Sequence, residues 1–222
     1  MKNFIFLIGF LSVLSGLFAQ NQTQSYDYSF KTLYKAVALH PGYRNKAGKI
    51  NDSVIRRWDK DIKIFIEGGN AKCRREIQHA LRDLITRISP AIGDKIKIFF
   101  TDEKYSANYL VNLNGVGRSS WYIKWDGNQN IYSGLIVINT NAVFNRDEQT
   151  ERVTHYFLES LGDFVLDHKD RSNFDKNDPT MAANISAWRH DISDVDLQIL
   201  KLHYSDAIKP GMSEKDLDLV FK

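Results

Sequence analysis

The stretch DIKIFIEGG, Asp61 to Gly69, constrains the fold most. Ile62, Ile64 and Ile66 alternate with Lys63, Phe65 and Glu67, the period-two pattern of a strand, and two glycines close it. The period then changes. In CRREIQHALRDLITRI, Ile77, Leu81, Leu84, Ile85 and Ile88 fall on one helical stripe, with Arg74, Arg75, Arg82 and Arg87 away from it. SPAIGD (89–94) reads as the break that ends this helix.

Further strands are expected at KIKIFFT, ANYLVNLNG, SSWYIKW and IYSGLIVIN, the last two joined across DGNQN as an antiparallel hairpin. NRDEQTERVTHYFLESLGDFVL reads as a helix over 147–166 with an acidic first turn, favourable at the positive end of the helix dipole. A polar stretch around Pro179 follows, then two helices with Ser193 and Ser213 as N-caps. One helix crossover among short strand connections predicts an α+β single domain. Its sheet is expected to be mixed, mostly antiparallel, with about five strands.

The chain opens MKNFIFLIGFLSVLSGLFAQ: a basic start, an apolar run too short to span a bilayer, and a small residue. This predicts a signal peptide over 1–19 cleaved near Ala19, a secreted or periplasmic protein, and no membrane span in the mature chain. A polar leader and loop are expected over 20–53, including a short helix near Ser29–His40, and the folded domain over 54–222. About 200 residues after the leader suffice for one sizeable core. Cys73 is the only cysteine, so no intrachain disulfide forms, and its place before an Arg- and Ile-rich helix suits a semi-buried thiol. Net charge is +3 with both signs interspersed. The pairs Arg56–Arg57 and Arg74–Arg75 are isolated and lack an aromatic platform, so no nucleic-acid partner is expected.

Candidate chemistry centres on THYFLESLGDF, Thr154 to Phe164. At 100° per residue, Val153, Phe157, Leu161 and Phe164 share one side of this helix, while Arg152, His155, Glu159 and Asp163 line up opposite. His155, Glu159 and Gly162 keep the frame His-x-x-x-His-x-x-Gly of a zinc-protease helix, with Glu in place of the second His. Zinc hydrolysis needs neutral His ligands one turn apart and a Glu beside the first as general base. Tyr156 occupies the base position and Val165 the place of a third His. Ordinary peptidase chemistry is therefore not expected, nor any cofactor. The alternative is a divergent metal-dependent hydrolase with zinc on His155 and Glu159 and a third ligand from Asp163, Asp167 or His168, or with Glu159 as general base instead of ligand. An i/i+4 His–Glu pair on a solvated helix face has the same spacing.

Trp121, Tyr122 and Trp125 on the hairpin form a candidate substrate-binding strip, against the commoner role of aromatic cross-strand pairs. GVGRSS, Gly115 to Ser120, precedes no helix and so lacks phosphate-binding geometry. His40, His79, His190 and His203 show no ligand spacing.

Three islands, VIRRWDKDIKIFIEGG, LESLGDFVLDHKDRSNF and DVDLQILKLHYSDAIKPGM, resemble a bacterial secreted family catalogued as domain-of-unknown-function family 2927. ESLG (159–162) and SNF (172–174) match its frame, whereas His155–Tyr156 stands where acidic residues are usual in it. The resemblance implies an exported compartment and a fold, not a reaction. The order of elements is also similar to that of the zincin metalloproteases, which implies a zincin-like core whose edge strand, here SSWYIKW, lies over a cleft and pairs with an extended peptide. Together these readings predict a degenerate metalloprotease relative that binds a peptide or cell-envelope partner, with a divergent metal-dependent hydrolase as the alternative.

Overall fold

The alternating isoleucines form a strand that is paired on both edges within a six-stranded sheet. In the computed structural model, which describes residues 28–39, 53–140, 146–164 and 192–222, the strands are β1 (Arg57–Trp58), β2 (Ile62–Glu67), β3 (Ile98–Phe100), β4 (Tyr109–Asn112), β5 (Ser120–Trp125) and β6 (Asn130–Val137). Among the described residues the helices are α1 (Tyr28–Ala38), α2 (Ala71–Ile92), α3 (Arg146–Ser160), α4 (Asp194–His203) and α5 (Glu214–Val220). None is long and apolar enough to cross a membrane.

The expectation of a mostly antiparallel α+β sheet is overturned. β2 pairs in parallel with β3 and with β4, β4 with β6, and β1 with β6; only β5 runs antiparallel, against β6. The protein is α/β. Short connections suggest antiparallel neighbours, because parallel neighbours usually need a crossover of a dozen or more residues. Here β3 flanks β2 at Ile62–Ile64 and β4 flanks its other edge at Ile64–Glu67, so the chain crosses β2 without returning along it. Lys104 in that crossing is ion-paired with Glu67.

β6 lies between β4 and β5, since Leu135 pairs with both Leu110 and Tyr122. Ile131 likewise pairs with both Trp58 and Trp125, so β1 shares the β4 side of β6 and β5 is an edge. The β5–β6 turn is held by Asp126, whose carboxylate accepts from the amides of Asn128 and Asn130. Those bonds hold its carboxyl below the usual range.

α2 begins on Asn70, whose side chain accepts from the Cys73 amide, and Ile77, Leu81, Leu84 and Ile88 are buried as the stripe predicts. The helix runs through Pro90 to Ile92 instead of stopping at SPAIGD. α2 and α3 pack against each other on one sheet face. Tyr109 of β4 meets Phe157 of α3 edge-on at 5.1 Å between ring centroids, and its hydroxyl lies 2.6 Å from Ser160 Oγ. Gly134 makes room, because a Cβ there would sit 2.3 Å from the Tyr109 ring. Cys73 is buried, more fully than the semi-buried thiol expected, with Sγ 3.4 Å from Gln149 Oε1.

α1 buries Phe30, Leu33, Tyr34 and Val37, so a helix within the 20–53 segment contributes to the core. Tyr34 OH donates to His203 Nδ1 at 3.0 Å, and His203 Nε2 donates to the Arg56 carbonyl at 3.1 Å. That neutral tautomer satisfies both ring nitrogens. Burial holds the His203 pKa down to about 3.

Candidate functional site

Asp147 and Glu148 open α3, and Val153, Phe157, Leu161 and Phe164 are buried, as the 3.6-residue period requires. Its end is pinned by side chains that satisfy the last carbonyls. Trp58 Nε1 donates to the Ser160 carbonyl at 3.0 Å, and Tyr204 OH to the Leu161 carbonyl at 2.8 Å. At Gly162 a Cβ would lie 2.4 Å from the Phe164 ring and 2.7 Å from His203 Nε2. Close packing therefore demands this glycine, independently of any protease ancestry.

The polar face does not stay aligned. His155 Nε2 lies 3.4 Å from Glu159 Oε1, with Glu159 only 6% exposed. Asp163, expected one turn further on, follows the end of the helix and adopts a left-handed conformation with φ 54°. It turns to Arg56 instead: Asp163 Oδ2 accepts from Arg56 Nη1 at 2.8 Å, and both side chains are almost wholly buried. His155 and Glu159 are thus brought together and Asp163 is taken elsewhere.

A catalytic zinc takes three protein ligands and leaves a fourth position open. Of the predicted donors, His155 and Glu159 are adjacent, and no group of three or more His, Cys, Asp or Glu suited to a metal occurs among the described residues. Those residues do not fit zinc by themselves. Asp167 and His168, the further donors considered, lie outside the described residues, as do His40, His190 and Val165.

The aromatic strip divides between two faces. Trp121 pairs with Ile136 and packs, with Ile123, against the core on the helix side. Tyr122 points the other way and is 58% exposed. Trp125 lies under Arg56, whose guanidinium carbon is 4.3 Å from the ring centroid. Arg56 also donates from Nε to Gln129 Oε1 at 3.1 Å. One side chain therefore joins the end of α3, the end of β5 and the hairpin turn. By sequence Arg56 is half of an isolated basic pair. Only its neighbour Ile55 hinted at burial.

β5 pairs with β6 alone among the described residues. The Gly134 and Ile138 amides donate to the Asn108 and Asn112 carbonyls on the β4 side. By alternation, Ser133, Leu135 and Val137 turn their main-chain groups to β5, where they meet Lys124, Tyr122 and Ser120. The N–H and C=O groups of Trp121 and Ile123 consequently point outward from the edge. The Ser119 carbonyl shares that parity and accepts from Tyr156 OH of α3 at 3.2 Å. Tyr156 thus ties the β5 edge to α3, next in sequence to the paired His155 and one turn on from Arg152, whose guanidinium is bonded to Glu148.

Comparison of the chain with protein-family models, curated proteins and solved structures finds no match.

Proposed function

We propose that this chain is an exported binding module that captures an extended peptide, from a substrate protein or a cell-envelope partner, along the open edge of β5. The observation that carries the reading is the outward N–H and C=O pair at both Trp121 and Ile123, beside α3. An edge with unpaired main-chain groups templates strand addition, and pockets for alternate side chains then select the ligand. Ser119 is tied to α3 through Tyr156, which holds that edge against the helix.

A degenerate zincin relationship agrees with two features. Among the described strands β5 alone runs antiparallel, lying outside β6, and α3 is the next described helix after β6. Tyr156 stands where a zincin places its general base, and its hydroxyl serves the Ser119 carbonyl instead. The module accordingly binds without cutting. The hydrolase alternative draws on the 3.4 Å approach of His155 to Glu159, and in it Glu159 serves as ligand or general base.

The test is binding of a pool of blocked, fluorescently labelled heptapeptides, followed by anisotropy and by mass spectrometry. Saturable binding, abolished by Ile123→Pro or by peptides N-methylated at alternate residues, with every peptide recovered intact, is the expected outcome. Binding unaffected by both changes removes the strand-capture reading. His155-dependent cleavage replaces it with the hydrolase.

A further inference from the structure

The sheet face opposite α2 and α3 carries a row of apolar side chains in direct register. Phe65 pairs with Leu110, Leu110 with Leu135, and Leu135 with Tyr122, so four strands present neighbouring apolar residues across one line. Phe65, Leu110 and Leu135 are half-buried and stand outside the core cluster, as side chains on the far face must. The row runs to the free edge and ends in the exposed Tyr122. Next to it on the same face, Lys124 pairs with Ser133, and Lys63 on β2 belongs to the same flanking line. Lys124 is exposed and makes no ion pair with any described residue.

A strand added to β5 continues these lines. With Trp121 and Ile123 supplying the ladder bonds, the position facing Tyr122 is a non-hydrogen-bonded pair, in which opposed side chains come closest. An apolar residue there extends the row by one strand. Two residues away on the same face, the ligand meets Lys124, where a carboxylate is attracted and an ammonium repelled. The residue between them faces Ile123 and the helix layer. Antiparallel pairing is the more stable geometry per residue, and Lys124 lies C-terminal to Tyr122, so the acid precedes the apolar residue in the ligand.

From this register we infer that β5 selects segments of the pattern acidic–any–apolar, bound antiparallel with the acid against Lys124 and the apolar side chain against Tyr122. The inference rests on the strand-capture reading and names the ligand class for it.

Three blocked heptapeptides test it: Ser-Val-Glu-Thr-Phe-Thr-Ser, its charge-swapped form Ser-Val-Lys-Thr-Phe-Thr-Ser, and the reversed order Ser-Thr-Phe-Thr-Glu-Val-Ser. The first is expected to bind about fivefold more tightly than the second, with a smaller margin at high salt. Lys124→Glu is expected to invert that preference, Tyr122→Ser to weaken the first peptide, and the reversed order to bind less well. Equal binding of the first two peptides, unchanged by Lys124→Glu but still abolished by Ile123→Pro, overturns this inference and leaves strand capture standing. Absence of any binding sensitive to Ile123→Pro overturns both. A dimer in sedimentation that Ile123→Pro dissociates puts a second copy of the chain on the edge, and that too overturns the proposal.

Discussion

Arg56 Nη1 lies 2.8 Å from Asp163 Oδ2, with both side chains out of solvent, and this pair ties the start of β1 to the turn that ends α3. Removing one partner strands a buried charge. Asp163→Ala is expected to cost about 3–5 kcal/mol in denaturant unfolding. Asp163→Asn should cost less, since asparagine tolerates φ near 54° and still accepts from Arg56. The exposed His79–Asp83 pair on α2 is the control, expected to change stability by no more than about 0.5 kcal/mol when broken.

Gly162→Ala separates packing from ancestry. Its Cβ meets the Phe164 ring at 2.4 Å, with His203 next to it. Overpacking is expected to lower stability by about 1–3 kcal/mol with no metal present or added. Gly127→Ala, which meets nothing within 4 Å, should be close to neutral in the same urea titration.

The parity of β5 is testable without a ligand. The Tyr122 amide belongs to the ladder with β6, and the Ile123 amide points outward. Tyr122→Pro is therefore expected to lose about 1–3 kcal/mol beyond Tyr122→Ala. Ile123→Pro should track Ile123→Ala in thermal melts. Equal penalties at the two sites would contradict the assigned edge.

Buried, neutral His203 makes stability depend on pH in a defined window. The unfolded imidazole takes up a proton as pH falls through about 6.5. The folded one stays neutral down to about 3. In that interval the unfolded state binds more protons, so stability falls with falling pH, by up to about 1.4 kcal/mol per unit. The measurement is the urea midpoint between pH 7 and 5, above the range in which Asp126, Asp206 and Asp216, all held low, begin to titrate. His203→Phe should be less stable at pH 7 yet show a flatter profile.

Metal content addresses the His155–Glu159 pair directly. Wild type and His155→Ala, purified without chelator, are expected to carry equally little zinc, well short of one ion per chain. Zinc at one per chain that disappears with His155→Ala would favour the hydrolase alternative.

Local periodicity was enough to read most elements. Ile62, Ile64 and Ile66 made a strand, Ile77 to Ile88 a helix, and Val153 to Phe164 the buried face of α3, because side-chain spacing follows directly from backbone geometry. Pairing partners are another matter. The parallel sheet depends on β3 and β4 gripping different halves of β2, and β6 on inserting between β4 and β5, choices set by packing across the chain and invisible to a local window. The candidate site divides the same way. The spacing of His155 and Glu159 was legible in one helix turn, whereas Asp163 left their line because the helix ends at Ser160 and Arg56, 107 residues distant in sequence, reaches it in the folded chain. A sequence can state which groups are polar. Which of them meet is decided when burial forces each charge to find a partner.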